Sequence, residues 1–278
     1  MGILSGLQSD PKATLIALLY QIPAVLIALT LHELAHGYVA LRCGDPTAQM
    51  MGRLSFNPLR HLDPMGTLFM FLFGFGWAKP VPVNPRNYRH FRRDDILVSV
   101  AGIVMNLCLF LLSAFLIVGV NELLWDPKLW MTETNVTRAH FVSLQEYSIV
   151  GYALENGTFQ QVSTPLFDYF REYMRTPWLS YVLRFLKGFA YLNLGLALFN
   201  LLPIPPLDGY HLLNDVFLRG KLHLSYKTVR YISLGFMALI FLPRFLGLPD
   251  ILGSGLGTAV DFLQRHVLGT ILNVFGLG

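Results

Sequence analysis

The stretch "LTLHELAHGYVA", residues 29–40, decides the fold class and the chemistry predicted for this chain. It lies in an apolar run, residues 13–41, that carries no charged side chain over its first 19 positions and then introduces His32, Glu33 and His36. A run of this length predicts a transmembrane helix, which needs roughly 20 apolar residues. Ionisable groups inside such a helix cost roughly 2.5–3.5 kcal/mol each on insertion scales and usually serve a function. The stretch therefore predicts a functional site within a membrane-spanning helix.

The spacing of the two histidines indicates a metal site. His32 and His36 are four positions apart, so on a helix they share one face with their Cβ atoms roughly 6 Å apart. This spacing suits two imidazole ligands of one tetrahedral Zn²⁺. Glu33 completes an H-E-x-x-H pattern, in which the glutamate is the general base. The alternative interpretation is a polar helix face packed against other helices. A catalytic zinc site also needs a third protein ligand.

A second stretch, "NLLPIPPLDGYHLL" at residues 200–213, offers that ligand. Its three prolines prevent a helix from continuing, so the span that precedes them must unwind near Leu202. Non-helical backbone at membrane depth has to be buried in protein or line a wet cavity. Asp208 follows at once and is the predicted third ligand, with a helix N-cap as the alternative role. No Glu follows residue 172, which favours Asp208 over a glutamate ligand from a later helix.

Together the two motifs resemble the site-2 protease family of intramembrane zinc metalloproteases, in its compact prokaryotic form. The resemblance covers most of residues 20–215 and includes four further stretches: "GRLSFNP" (52–58), "HLDPMGT" (61–67), "FGWAKPVPVNPRNY" (75–88) and "AGIVMN" (101–106). Two departures are visible. Ile103 stands where the family often has proline, and the insertion at residues 122–178 carries no recognised motif.

The resemblance implies one Zn²⁺ per chain, bound by His32, His36 and Asp208, with Glu33 as the general base. It also implies cleavage of peptide bonds in or near transmembrane segments of membrane proteins, that is, regulated intramembrane proteolysis. Asn106 lies at a depth similar to that of His32 and is predicted to contact substrate backbone or the oxyanion. A polar interhelical link explains Asn106 equally well.

Composition supports a membrane protein. Of the 278 residues, 54% are hydrophobic and 14% are charged, whereas roughly a quarter are charged in soluble domains. The predicted fold is an all-α polytopic membrane protein with roughly four to six transmembrane helices. Four spans are expected, with a C-terminal tail (251–278) that spans the membrane or lies in its interface: 13–41, 96–121, 188–207 and 231–248.

Shorter segments around the site are predicted to carry the substrate. Residues 64–78 would extend roughly 22 Å as a helix, less than the ~30 Å hydrocarbon core, which favours a re-entrant segment. Residues 52–56 and 79–85 are predicted short strands near the active site that accept an unwound substrate by strand addition. The prolines of 79–85 restrict that segment to an edge or an extended loop.

The chain is predicted to be one membrane-embedded domain, residues 1–278. The catalytic core is expected at about 13–220, an extracytoplasmic insertion at about 122–178, and C-terminal helices at about 228–278.

Arginine and lysine in the loops predict the orientation. Residues 42–63, 79–95 and 208–230 are rich in these side chains and should be cytoplasmic, so the active site faces the cytoplasmic side of a prokaryotic cell membrane. The same rule explains the net charge of +4 without a nucleic-acid partner. The expected partners are a transmembrane protein substrate and the lipid bilayer, and the oligomeric state is left open. The alternative function is a non-proteolytic membrane protein that binds or transports zinc, in which ionisable groups would mark a path across several helices.

Overall fold

The computed structural model describes residues 3–73, 76–126, 151–155, 158–162, 173–222, 224–246 and 248–276. Nine α-helices lie in these ranges: α1 (Ile3–Ser9), α2 (Pro11–Cys43), α3 (Thr47–Met50), α4 (Pro64–Phe73), α5 (Phe91–Leu124), α6 (Leu179–Asn200), α7 (Asp208–Leu212), α8 (Tyr226–Leu246) and α9 (Ile251–Val274). Within the insertion, β1 (Gly151–Glu155) and β2 (Thr158–Val162) pair as an antiparallel hairpin, with Gly151 opposite Val162. The predicted helical architecture is confirmed.

Three helices of the described chain, α2, α5 and α6, are long and apolar enough to cross a membrane. They overlap three of the predicted spans. Helices α2 and α5 cover 13–41 and 96–121, whereas α6 begins and ends seven to nine residues before the predicted 188–207. It ends at Asn200 because the prolines that follow cannot continue it. The chain is therefore an integral membrane protein. The further spans predicted at 231–248 and 251–278 overlap α8 and α9 and stay predictions.

Both ends of α2 are specified by local sequence. The Asp10 carboxylate accepts a hydrogen bond from Ala13 N at 2.9 Å, and Pro11 occupies the first turn, where its missing N–H costs nothing. At the other end Gly44 has φ 111°, and a Cβ there would lie 2.9 Å from the Asn87 carbonyl oxygen. Only glycine satisfies both demands. One continuous helix therefore carries the whole histidine motif.

The segment that contains α4 begins and ends at the same place in the fold. Leu62 and Ala78 form an isolated antiparallel bridge, and Lys79 N donates to the His61 carbonyl at 2.8 Å. The two ends of residues 63–77 are thus adjacent. The structure does not confirm the predicted strands at 52–56 and 79–85, which have no ladder in the described chain. The physical reason at 79–85 is its prolines, which supply no N–H to a ladder.

Contacts divide the chain into two compact units, Met1–Leu109 with Leu192–Val260, and Phe110–Tyr191 with Asp261–Gly278. The prediction of a single domain stays a prediction. In the first unit, four buried side chains pack the end of α2 against α5 and the preceding loop: Ala40, Cys43, Tyr88 and Val98. In the second, Trp125 is 2% exposed and its Nε1 donates to Asn121 Oδ1 at 3.1 Å.

Asp45 joins two loops of the first unit just after α2. It is fully buried, and its carboxylate accepts hydrogen bonds from Asn84 N at 2.6 Å, Asn87 Nδ2 at 2.8 Å, and both the N–H and hydroxyl of Thr47. Burial raises the pKa of Asp45, but these hydrogen bonds outweigh burial and hold the pKa below its ordinary value.

We expect Asp45 to make the fold sensitive to acid. Because its folded pKa is lower than its unfolded pKa, its stabilisation is complete above the unfolded value, about 4. That stabilisation is lost as the pH falls through the folded value. Asp45→Ala should lower stability at pH 7 by about 1–3 kcal/mol for each donor left unsatisfied. Thermal unfolding in detergent micelles from pH 7 to pH 3 measures both effects, with the exposed helix cap Asp10→Asn as the control. Equal midpoints for wild type and Asp45→Ala at pH 7 would contradict this role.

Candidate metal centre

Three potential ligand atoms meet in the first unit. Nε2 of His32 and Nε2 of His36 are 3.1 Å apart. Asp208 Oδ2 lies 3.5 Å from the first nitrogen and 3.3 Å from the second. Two ligands of a tetrahedral ion, each about 2.0–2.1 Å from it, are about 3.3–3.4 Å apart. The spacing of the three atoms therefore fits one face of a zinc tetrahedron, and in the described ranges this is the one such group of His, Cys, Asp or Glu.

The hydrogen bonds of the outer ring nitrogens fix which atoms face inward. His32 Nδ1 lies 3.2 Å from Asn106 Oδ1, and His36 Nδ1 lies 2.7 Å from the Val98 carbonyl oxygen. Since both partners are acceptors, each Nδ1 carries the proton and each Nε2 presents a lone pair. These lone pairs face Asp208 Oδ2, which is buried and has no hydrogen bond in the described structure. Three electron-pair donors this close repel one another unless a cation lies among them, so the residues fit Zn²⁺.

Asp208 reaches the site because α6 stops early. The chain turns through residues 201–207, and α7 starts at Asp208 with Leu207 as its N-cap and no side-chain capping bond. Asp208 is therefore the first residue of α7 and not its N-cap, so the alternative role as a helix cap is wrong. A Cβ at Gly209 would lie 2.6 Å from the Leu202 carbonyl oxygen. Glycine thus lets α7 begin directly against the turn that follows α6.

One face of α5 supports the two histidines. Val98, Gly102 and Asn106 follow at four-residue steps and so share a face. A Cβ at Gly102 would lie 2.6 Å from His32 Nε2 and closer still to His36 Nε2. The imidazole edges therefore lie directly on the α5 backbone. No role was predicted for Gly102 or Val98, and the only signal in the sequence was a glycine four positions before Asn106.

Glu33 lies outside the ligand triangle. Its side chain is half-buried, and Oε2 accepts a hydrogen bond from Val81 N at 2.7 Å. Asn106 is fully buried, and its Oδ1 accepts the hydrogen bond from His32 Nδ1. Its Nδ2 has no hydrogen-bond partner in the part of the chain that is described. The predicted contact between Asn106 and substrate stays a prediction.

Comparison with known proteins gives one family. The model of Peptidase family M50 matches residues 20–243. YwhC from Bacillus subtilis (strain 168), whose name proposes a zinc metalloprotease, is 35% identical over 80% of this chain and 79% of its own length.

Two proteins named Rip2, proposed by name to be zinc metalloproteases, are more distant. The one from Mycolicibacterium smegmatis (strain ATCC 700084 / mc(2)155) is 26% identical over 75% of this chain and 58% of its own length. The one from Mycobacterium tuberculosis (strain ATCC 25618 / H37Rv) is 28% identical over 86% of this chain and 73% of its own length.

No solved structure matches the chain. The family match extends across both motifs, from before His32 to beyond Asp208, and it agrees with the apolar helices and with the three inward-facing ligand atoms. The chain therefore belongs to peptidase family M50, the site-2 protease family, and is an intramembrane zinc metalloprotease.

Proposed function

We propose that the enzyme hydrolyses peptide bonds in or near transmembrane segments of membrane proteins, with Zn²⁺ bound by His32, His36 and Asp208. The observation that carries this proposal is the triangle of three ligand atoms with edges of 3.1, 3.3 and 3.5 Å. Asn106 Oδ1 and Val98 O accept hydrogen bonds from the Nδ1 atoms of His32 and His36. These bonds keep the proton of each imidazole on Nδ1 and leave Nε2 unprotonated, as metal ligation requires.

Each residue then has a chemical task. Zinc bound here would supply Lewis-acid chemistry: it would polarise a carbonyl group and lower the pKa of water to about 7. Glu33 takes the proton of the attacking water and later gives it to the leaving amine. Its position after His32 on α2 keeps it beside the ligands without making it one of them. Asn106 orients His32 through Nδ1 and offers its free Nδ2–H to substrate backbone or the oxyanion.

Substrate has to unwind before it can be cleaved, because the carbonyls of an intact helix are hydrogen-bonded and shielded. We assign the extended segments 52–56 and 79–85 to holding the unwound strand by main-chain hydrogen bonds. Two contacts support this assignment. Arg53 Nη2 donates to the Lys79 carbonyl at 2.8 Å, so the two segments are adjacent. Val81 N donates to Glu33 Oε2, so the second segment reaches the predicted base.

The orientation follows from the loops. The basic loops 42–63, 79–95 and 208–230 are assigned to the cytoplasmic side, which places the zinc site toward that side. The bridge between Leu62 and Ala78 brings the two ends of the segment 63–77 together, which supports a re-entrant path for 64–78. Because α2 crosses the membrane once before the basic loop 42–63, its first residues are assigned to the extracytoplasmic side.

Replacing the third ligand tests the zinc site. Asp208→Asn exchanges a carboxylate for a neutral amide of the same shape, and we expect it to weaken zinc binding at least about tenfold and to lower cleavage in proportion. Zinc affinity is measured by competition with a chromophoric chelator in detergent micelles, alongside cleavage of a transmembrane model peptide.

The matched control is His211→Asn in the same helix, since His211 is exposed and its Nδ1 lies 4.0 Å from Asp95 rather than near the triangle. Zinc affinity should be unchanged in this variant. Wild-type zinc affinity in Asp208→Asn would show that the aspartate is not a ligand and would refute the proposed site.

A further inference from the structure

The 2.7 Å hydrogen bond from Val81 N to Glu33 Oε2 joins the predicted general base to the backbone of the extended segment. A backbone N–H that donates to a carboxylate at this distance forms a strong, charge-assisted hydrogen bond. Glutamate has several rotatable bonds and loses much side-chain freedom when one oxygen is fixed. With Oε2 fixed by Val81, Oε1 is the oxygen left to receive a proton.

The donor itself is rigid. Pro80 and Pro82 restrict the backbone on both sides of Val81. Before them, Lys79 N donates to the His61 carbonyl at 2.8 Å. After them, Asn84 N donates to the buried Asp45 carboxylate at 2.6 Å. The segment is therefore anchored at both ends, and the Val81 N–H has a fixed direction.

The side chain of Val81 anchors the segment to the catalytic helix. Val81 is 7% exposed. A Cβ on Gly37 would lie 3.0 Å from Val81 Cγ1 and 2.6 Å from Leu54 Cδ2. Gly37 is one turn beyond Glu33 on the same helix, so its missing side chain is what lets Val81 reach α2. The proline pattern and this glycine together place one backbone donor at the base.

We propose that the main-chain N–H of Val81 is a positioning donor that holds Glu33 in the orientation needed for proton transfer. Val81 makes no chemical step of its own; it acts through Glu33. The role rests on the proposed function, in which Glu33 is the base. A misplacement of about 1 Å in a catalytic group can cost about 100-fold in rate, so loss of this donor should act on kcat rather than on substrate binding.

Removing the N–H tests the role. Val81→Pro removes the donor, and an ester at position 81, made by incorporating the α-hydroxy acid of valine, removes it while keeping the side chain. We expect the ester variant to keep wild-type zinc content and to lower kcat about 10–100-fold, with KM for a transmembrane model peptide within about threefold of wild type. Val81→Pro should show the same loss of kcat if the variant folds. If it does not fold, the ester variant alone tests the role of the N–H.

The matched control is an ester at Gly253, whose N–H donates to the Asp250 carboxylate at 2.8 Å, the same type of hydrogen bond at an exposed helix start. Its kcat and KM should be those of wild type. An unchanged kcat in the Val81 ester, or an equal loss in the Gly253 ester, would overturn the inference. Failure of the proposed function would be separate, because it would appear as cleavage retained in Glu33→Gln.

Discussion

Glu33→Gln should abolish nearly all cleavage while the protein keeps its zinc. Glutamine has the shape of glutamate, and its carbonyl oxygen can still accept the hydrogen bond from Val81 N, so local structure is preserved. It cannot, however, take up a proton. General-base catalysis contributes about 10²–10⁴-fold, and we expect kcat to fall by that factor. Zinc content is expected to be unchanged, because Glu33 is not one of the three ligands that face one another.

The measurement pairs metal analysis with cleavage of a transmembrane model peptide in the same preparation. Asp250→Asn is the control, since it also neutralises a carboxylate but lies at the exposed start of α9, where asparagine caps a helix equally well. Zinc retained and cleavage lost identify Glu33 as a catalytic group. Cleavage that persists at the wild-type rate would refute the assignment, and zinc lost together with cleavage would show that Glu33 helps bind the metal.

The two histidines of the candidate site could be predicted from sequence because their geometry is local. Two histidines four positions apart lie on one helix face in any α-helix, and the structure brings their Nε2 atoms to 3.1 Å. Asp208 lies far along the chain, but the prolines before it required an interruption of the helix at membrane depth. That requirement, together with the absence of a later glutamate, was enough to select it.

The supporting residues could not be predicted because they depend on tertiary packing. Nothing local indicates that the Val81 N–H meets Glu33, 48 positions earlier, or that the Val98 carbonyl meets His36. The strands at 52–56 and 79–85 were predicted from the need to hold an unwound substrate, with an extended loop as the alternative at 79–85. The structure has the extended loop at 79–85, because the prolines there supply no N–H to a ladder.

Gly102→Ala should remove zinc binding almost completely. The added methyl group would occupy the space between the two imidazoles, 2.6 Å from His32 Nε2 and closer to His36 Nε2. Real Cβ contacts are never this short, so the rings or the helix must move apart and the ligand triangle must open. We expect zinc affinity to fall at least about 100-fold, beyond the usual effect of residues outside the ligand shell. Cleavage should fall below detection with it.

The alanine variant separates metal binding from folding, because the two effects have opposite signs. Within a helix, alanine is favoured over glycine by about 0.8–1 kcal/mol, so the substitution should not destabilise α5 itself. Gly119→Ala in the same helix is the matched control, since a Cβ there meets nothing within 4 Å. It should gain the same helix propensity and keep zinc. Equal zinc affinity in the two variants would mean that the histidines do not lie against α5. Zinc lost in Gly102→Ala alone, from a protein that still unfolds cooperatively, would show that a missing side chain on α5 is part of the metal site.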